Sequence, residues 1–257
     1  MLFDQSPVRS FLTRALKVTL LSAIASACLI GCADKEATEK ESATPVVTEA
    51  VELSKVTGAK ITGLKTPESV VQAKDGKIYV SEINEFGKDG DGLISVIENG
   101  QASLFTDGLD DPKGLVIIGD SLYVADKTQI IKINLADATK EVFVPASAFT
   151  KPPQFLNDLE ADPQGNLYVS DSGDILGTGK GGVIYKINAS GEVTKLIDGD
   201  DNPLVMAPNG LLADDTGKVL LFVDFTSGIL YTLNTETGKL TDIDKGFGGA
   251  DGLVHHS

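Results

Sequence analysis

The stretch LNDLEADPQGNLYV, residues 156–169, carries the pattern that decides the fold. A polar residue, Asn157, opens the stretch, and an aromatic residue, Tyr168, follows eleven residues later inside a short β-like run. Similar stretches occupy residues 67–80, 112–124 and 208–223, and a fifth begins at Ala250. The polar residues of the five copies are spaced by 45, 44, 52 and 42 residues. Repeats of this length made of short strands are typical of a β-propeller.

A second pattern follows the aromatic strand inside a repeat. It reads GVIYKIN at residues 182–188 and GILYTLN at residues 228–234, so apolar and polar residues alternate as in a half-buried strand. A glycine-containing turn and another strand come next, near Gly191 and Gly238. We therefore predict an all-β propeller with one four-stranded blade per repeat.

Equivalent positions of successive blades converge on a central channel in a propeller. We therefore expect five polar residues to point at one place, and we call them the channel ring: Glu68, Lys113, Asn157, Asn209 and Asp251.

The aromatic residues of the repeat have a different predicted role. A blade can bury both of its faces only against its neighbours, and each Å² of apolar area buried contributes about 25 cal/mol. We expect the aromatic position of each repeat to pack between blades, at Tyr79, Tyr123, Tyr168 and Phe222.

The N-terminus has the features of a lipoprotein signal. Basic residues precede a short apolar stretch at residues 18–30, and the run Leu29-Ile30-Gly31-Cys32 resembles a bacterial lipobox. We predict a signal peptide at residues 1–31, lipidation of Cys32, a polar tether over residues 32–55 and the propeller domain over residues 56–257. Ala33 after the cysteine favours a lipid-anchored protein of the outer membrane, facing the periplasm, over the inner membrane. An ordinary secretion signal is the alternative.

Composition narrows the range of functions. A net charge of −15 argues against nucleic acid or bare anionic lipid as a partner, so contact with the membrane is expected only through the lipid anchor. The two histidines are His255 and His256, and no cysteine follows Cys32. A Ser-His-Asp triad, a cysteine nucleophile or a histidine-rich metal site is therefore excluded. We expect a monomer that binds a small molecule.

The channel ring offers oxygen ligands. Two carboxylates and two amides, from Glu68, Asn157, Asn209 and Asp251, suit a hard divalent cation, with Ca²⁺ first. The alternative is that these residues only form turns ahead of strands, as Asn and Asp often do.

Several segments resemble motifs of the senescence marker protein/gluconolactonase/luciferin-regenerating-enzyme family. They are Thr66-Pro67-Glu68, Asn157-Asp158 with residues 162–168, residues 207–211 and residues 250–253. The resemblance implies a six-bladed propeller with one divalent cation in the channel, Ca²⁺ or else Zn²⁺ or Mn²⁺, whose members hydrolyse sugar lactones. It implies that Glu68, Asn209 and Asp251 are metal ligands, and that Asp251 is also the catalytic general base. Asn157 then lies beside the substrate or completes the metal shell.

The sequence departs from that family in three ways. Phe155 stands where related lactonases often have an arginine that grips the substrate. Four repeats and the start of a fifth are present, so we expect the C-terminal blades to be incomplete relative to a six-bladed ring. Lys113 occupies the ring position of the second blade, either as a cation that binds substrate or as a solvated side chain at the channel mouth.

Two functions follow from these patterns. The first is a metal-dependent, lactonase-like hydrolase of the cell envelope that acts on a sugar lactone or a similar ester. The second is a non-catalytic propeller lipoprotein that binds a ligand or a protein, which Phe155 and the incomplete blades would favour.

Overall fold

The structure, a computed structural model, describes residues 60–254, and in that range sixteen strands form four antiparallel sheets. Strand order within each sheet follows the chain, so each sheet is one blade of four consecutive strands. This confirms the predicted all-β propeller with four-stranded blades. A short 3-10 turn, Ala146–Ala148, precedes the third blade.

The strands of the four blades have the following bounds. Blade 1 contains β1 (Pro67–Gln72), β2 (Ile78–Glu82), β3 (Gly92–Glu98) and β4 (Gln101–Leu109). Blade 2 contains β5 (Pro112–Ile118), β6 (Ser121–Asp126), β7 (Gln129–Asn134) and β8 (Lys140–Val144). Blade 3 contains β9 (Leu156–Ala161), β10 (Leu167–Asp171), β11 (Val183–Ile187) and β12 (Val193–Asp198). Blade 4 contains β13 (Pro208–Ala213), β14 (Val219–Asp224), β15 (Ile229–Asn234) and β16 (Leu240–Lys245).

The first strand of each blade lies at the centre of the propeller. Strand β5 contacts both β1 and β9, and β9 also contacts β13, whereas the fourth strands lie at the outer edge of their sheets. Residues 250–254 continue the series, because the backbone N–H of Gly210 in β13 donates to the carbonyl of Asp251 at 2.7 Å. This segment lies beside β13, where a fifth inner strand would begin, although residues 250–254 themselves are not in a strand.

Apolar side chains fill the space between neighbouring blades. One buried cluster, which includes Tyr79 and Leu122, joins blades 1 and 2. A second joins blades 2 and 3, and a third, around Tyr168 and Leu220, joins blades 3 and 4. Each cluster contains residues of both adjacent sheets, so neighbouring blades bury apolar surface against each other.

The predicted equivalence of Phe222 with the tyrosines was wrong by one residue. Tyr79, Tyr123 and Tyr168 stand three residues before the acidic residue that ends their strand, and in blade 4 that position is Leu221. Phe222 instead pairs with Leu211, as Val169 pairs with Leu159. It is fully buried in the cluster between blades 3 and 4, where its ring stacks on Tyr231 at 5.1 Å. The predicted packing role holds, but on the opposite face of the sheet, because side chains alternate along a strand.

The N-terminal predictions lie outside the described residues. They are the signal peptide at residues 1–31, the lipidated Cys32, the tether at residues 32–55 and the domain start at residue 56, and they remain predictions. His255 and His256 also lie outside. Within residues 60–254 no helix is long and apolar enough to cross a membrane.

Candidate functional site

Each channel-ring residue of the four blades sits in a β-bulge. In blade 2, Pro112 pairs with Asp126 and Leu115 pairs with Val124, so Lys113 and Gly114 together oppose the single residue Ala125. The same two-against-one arrangement holds for residues 68–69, 157–158 and 209–210 in the other blades. A bulge bends the strand and changes the direction of its side chains, which is why bulges are common beside active sites.

A buried carboxylate fixes the chain just before each bulge. The acidic residue that ends the second strand of a blade is Glu82, Asp126, Asp171 or Asp224, and each is less than 4 % exposed. Asp224 Oδ2 accepts the backbone N–H groups of Met206 and Ala207, both at 2.8 Å. These donors stand three and two residues before the ring residue Asn209.

The same contact recurs in the other three blades. Asp126 accepts from residues 110 and 111, Asp171 accepts from residues 154 and 155, and Glu82 accepts from Lys65. Sequence reasoning missed this set, although the acidic residue that closes each aromatic-strand phrase was a visible signal.

Four members of the channel ring line one cavity of about 680 Å³. They are Glu68, Asn157, Asn209 and Asp251, and they come from blades 1, 3 and 4 and from the fifth inner segment. Asn209 Nδ2 donates to Asp251 Oδ1 at 2.8 Å. Glu68 is close enough to Asp251 for the charge of that carboxylate to raise the Glu68 pKa. The structure therefore brings together the three predicted metal ligands and Asn157.

The surroundings of Glu68 disfavour its charged form. Burial raises its pKa to about 7, and the nearby Asp251 adds to the rise, while a 2.7 Å hydrogen bond from Ser69 Oγ and the charge of Lys113 oppose it. Burial without a full set of partners disfavours the carboxylate form. A cation at this position would remove that penalty.

Both ring amides use their NH₂ groups on the protein. Asn157 Nδ2 donates to Ser172 Oγ at 3.0 Å, and Ser172 Oγ in turn donates to the Pro208 carbonyl at 2.8 Å. Asn209 donates to Asp251 as described above. Among residues 60–254, no donor reaches four oxygens of this set: Glu68 Oε1, Asn157 Oδ1, Asn209 Oδ1 and Asp251 Oδ2.

Lys113 takes a different position from the rest of the ring. Its side chain is only 2 % exposed and does not line the cavity. Its Nζ donates to the Asp111 carbonyl at 3.0 Å and lies 4.3 Å from the centre of the Phe155 ring. Burial lowers the Lys113 pKa, and the charges of Asp111 and Glu68 oppose this effect. The lysine thus packs on the Phe155 ring rather than reaching the cavity.

Two further carboxylates line the cavity and were missed from the sequence. Asp158 accepts the N–H of Leu211 at 2.8 Å and that of Leu159 at 2.9 Å, and burial raises its pKa to about 7. Burial also raises the pKa of Glu160. The signal for Asp158 was its place after a ring residue, where the other repeats have Ser69 or a glycine.

The donor set matters for any metal at this site. Within the described part of the chain, no group of three or more His, Cys, Asp or Glu side chains is arranged to hold a metal ion. A cation at the channel ring would therefore need the amide oxygens of Asn157 and Asn209 beside the carboxylates of Glu68 and Asp251. Such a mixed oxygen set is one that Ca²⁺ accepts.

Comparisons with known proteins agree with this architecture. The family model described as SMP-30/Gluconolactonase/LRE-like region matches residues 111–254. A search of curated proteins found no significant match to the chain. Among solved structures, a chain of a nidogen/laminin complex superposes with a TM-score of 0.60 at 19% identity, covering 75% of this chain and 69% of that one.

A second solved structure is regucalcin from Agrobacterium tumefaciens, described as a calcium-binding protein. It superposes with a TM-score of 0.56 at 20% identity, covering 70% of this chain and 60% of the regucalcin chain. The present chain therefore spans about three fifths of that relative. At this level of identity the two structures support the fold alone.

Proposed function

Because the chain belongs to the SMP-30/gluconolactonase/LRE-like family, we propose that it is a metal-dependent hydrolase that opens a lactone or a similar ester at the channel ring. One observation carries the proposal. Side chains from four separate segments line one cavity, and each has an oxygen that accepts no hydrogen bond from residues 60–254 and is open to solvent or to a cation. Glu68, Asn209 and Asp251 would hold one divalent cation, Ca²⁺ first, and Asn157 would complete the shell or contact the substrate.

The proposed reaction is hydrolysis of the ring ester. A divalent cation held by Glu68, Asn209 and Asp251 would supply polarisation of the carbonyl and stabilisation of negative charge on its oxygen. Asp251 accepts a proton from water, and the water oxygen bonds to the carbonyl carbon. The ring C–O bond then breaks, the departing oxygen takes the proton back, and the product is a hydroxy acid. Asn209 orients Asp251 through the 2.8 Å hydrogen bond between their side chains.

The test measures turnover and metal binding separately. We expect lactone hydrolysis by the purified protein with Ca²⁺, and its loss with EDTA. Asp251→Asn should lower kcat/KM by at least about 100-fold, the usual range for loss of a general base. Asp242→Asn is the matched control, because Asp242 is an exposed carboxylate on the outer strand β16. No turnover with any of Ca²⁺, Zn²⁺ or Mn²⁺ would contradict the proposal.

A second candidate is a propeller that binds a ligand or protein without catalysis. It is favoured by the position of Lys113, because its ammonium contacts the Asp111 carbonyl and the Phe155 ring and does not reach the cavity to bind a substrate. Calorimetry distinguishes the two. Ca²⁺ binding that is weakened by Asn209→Ala, with no turnover of any lactone, would favour the second candidate over the first.

We also propose that the protein is anchored in the outer membrane and faces the periplasm. The support is the run Leu29-Ile30-Gly31-Cys32 followed by Ala33. Mass spectrometry of the mature N-terminus should find a lipidated Cys32, and Cys32→Ser should release the protein from the membrane fraction. An unmodified mature N-terminus would contradict this.

A further inference from the structure

A short chain of hydrogen bonds connects the backbone of blade 4 to the side-chain amide of Asn157. Ser172 Oγ donates to the Pro208 carbonyl at 2.8 Å, and it accepts from Asn157 Nδ2 at 3.0 Å. Asn157 is 4 % exposed and Ser172 is fully buried. The chain therefore lies inside the protein, where little water competes for its donors and acceptors.

The Pro208 carbonyl sets the direction of this chain. A carbonyl oxygen can only accept a hydrogen bond, and a serine hydroxyl has a single hydrogen to donate. Because the Ser172 hydroxyl donates that hydrogen to Pro208, its oxygen can only accept from Asn157. The side of the amide that faces Ser172 must therefore be the NH₂ group, and the amide oxygen must lie on the other side.

The amide oxygen of Asn157 is the atom available to an occupant of the cavity. Asn157 lines the cavity, and its Oδ1 accepts no hydrogen bond from residues 60–254 and remains accessible. A half-turn of the amide would place the NH₂ group there and would set Oδ1 against an oxygen with no hydrogen to donate. Ca²⁺ binds oxygen ligands such as amide carbonyls, so only the observed orientation suits a cation.

Ser172 is held in place outside the cavity. It does not belong to the lining residues, it follows the buried Asp171, and its backbone N–H donates to the Phe155 carbonyl at 2.9 Å. In the other three blades the residue after the buried acid has no hydroxyl: Ile83, Lys127 and Phe225. Ser172 can therefore influence an occupant of the cavity through Asn157 and not by direct contact.

We propose that Ser172 is a positioning residue that fixes the Asn157 amide with its oxygen towards the cavity, so that Asn157 completes the metal shell. This rests on the divalent cation proposed at the channel ring, and it assigns Asn157 to the metal rather than to the substrate. Partners that orient a metal ligand without touching the metal commonly change metal affinity by about 10–100-fold.

A double-mutant cycle on Ca²⁺ affinity tests the inference. Ser172→Ala frees the amide to turn, so we expect the Kd measured by calorimetry to rise by at least about tenfold. In the Asn157→Ala background the same substitution should change Kd by less than about twofold, because the amide that it orients is absent. Ser227→Ala is the matched control, since the buried Oγ of this blade 4 serine hydrogen-bonds to no ring residue, and it should leave Kd unchanged.

Asn157→Asp separates orientation from packing. A carboxylate presents an oxygen whichever way it turns, so Ser172→Ala should have little effect on Kd in this background. If Ser172 only tied blade 3 to blade 4 through Pro208, its loss would raise Kd equally beside asparagine, alanine and aspartate. Equal losses in all three backgrounds would overturn the proposal, and so would an unchanged Kd in the single variant Ser172→Ala.

The wild type offers a measurement that does not depend on the folding of a variant. In labelled, metal-free protein, NMR should show the Asn157 NH₂ exchanging with solvent at least about tenfold more slowly than that of Asn99, an exposed residue between β3 and β4. Ca²⁺ should then shift the Asn157 Cγ resonance while the NH₂ stays protected. Equal exchange at the two residues, or a Cγ resonance that Ca²⁺ does not move, would overturn the proposal.

These readouts separate the inference from the proposed hydrolysis. The expected pattern of Kd values without lactone turnover would sustain the role of Ser172 and overturn the hydrolase. Lactone turnover that falls in Ser172→Ala at an unchanged Kd would assign Asn157 to the substrate, which overturns this inference and leaves the hydrolase standing. No binding of Ca²⁺, Zn²⁺ or Mn²⁺ to the wild type would overturn both.

Discussion

The junction between blades 2 and 3 and the junction between blades 3 and 4 hold their ring residues by different means. At the first junction, Gly114 lies so close to β9 that a Cβ atom would meet the Asn157 carbonyl and the Asp158 Cα at 2.6 Å. At the second, the Asp158 carboxylate reaches across to the Leu211 N–H at 2.8 Å. One junction is backbone against backbone, and the other is bridged by a side chain.

The pattern alternates along the molecule. Gly210 repeats the glycine junction between blade 4 and the fifth segment, because its Cβ would lie 2.3 Å from the Asp251 carbonyl. In blades 1 and 3, by contrast, a serine opposite the bulge accepts the bulged N–H, as Ser81 does for Ser69 and Ser170 for Asp158. The difference teaches that a ring residue is positioned by its neighbour at glycine junctions and by its own blade at the others.

The largest expected effect is that of Gly114→Ala. The added methyl group overlaps only backbone atoms of residues 157–159, which cannot move aside without displacing Asn157. We expect a loss of about 3 kcal/mol in the free energy of unfolding, measured by urea titration. Gly248→Ala is the matched control, because nothing lies within 4 Å of its added Cβ. Equal stability of the two variants would contradict the glycine junction.

Gly210→Ala should act on the site more than on stability. Its methyl group displaces residues 251–253, which carry Asp251, while the contacts of β13 within blade 4 remain. We expect Ca²⁺ affinity to fall by about tenfold or more in calorimetry, since a ligand moved by an ångström no longer completes the set. If Ca²⁺ binding were unchanged, Asp251 would not be held through this junction.

A pH titration sharpens the comparison because, of the two junctions compared, the one between blades 3 and 4 is bridged by a carboxylate. The pKa of Asp158 is raised from 3.8 to about 7, so the folded state binds the extra proton between about pH 4 and 7, and stability falls as the pH rises through that range. Asp158→Asn should flatten this fall by about 1–3 kcal/mol in metal-free urea titrations.

Glu68 contributes to the same fall in stability, since its pKa is also raised to about 7. Glu68→Gln should therefore flatten the curve as well, and addition of Ca²⁺ should stabilise the wild type at pH 8 but not this variant. Asp242→Asn is the control for both substitutions. A pH dependence that is identical in Asp158→Asn and the wild type would show that burial does not raise the pKa of Asp158.

The smallest effect is expected for Ser170→Ala. Ser170 Oγ accepts the Asp158 N–H at 3.0 Å inside the bulge, and alanine leaves that N–H without its partner. We expect a loss of about 1 kcal/mol in the free energy of unfolding. Ser103→Ala, on the exposed strand β4, is the control and should change stability by less than about 0.5 kcal/mol. A loss as large as that of Gly114→Ala would contradict the ranking of the two junctions.

Much of this architecture was predictable because the repeated segments are visible in the sequence. The spacing of the polar residues, the aromatic strands and the alternating third strands gave the blades and placed Glu68, Asn157, Asn209 and Asp251 around one channel. Spacing could not give the register of blade 4. The turn before β14 is longer, and the aromatic residue in that run, Phe222, was taken as the equivalent position, whereas counting back from Asp224 reaches Leu221. Alignment on the buried acid would have avoided the error.

The position of Lys113 could not be predicted for another reason. The repeat predicts where the Lys113 backbone lies. A lysine side chain has four rotatable bonds, however, so its direction depends on which groups near it can bind the ammonium. The Asp111 carbonyl and the Phe155 ring are these groups. The bulges were also invisible, since no residue type marks all four of them.

The bulges have a consequence for how the chemistry of this scaffold can change. Because two residues oppose one, the first of them does not belong to the inward and outward alternation of its strand. Glutamate, lysine and asparagine accordingly occupy equivalent places while the flanking pairs keep the same register. Selection, or an engineer, can exchange the groups that face the channel one at a time, and the hydrophobic layers that hold the blades together need not be redesigned.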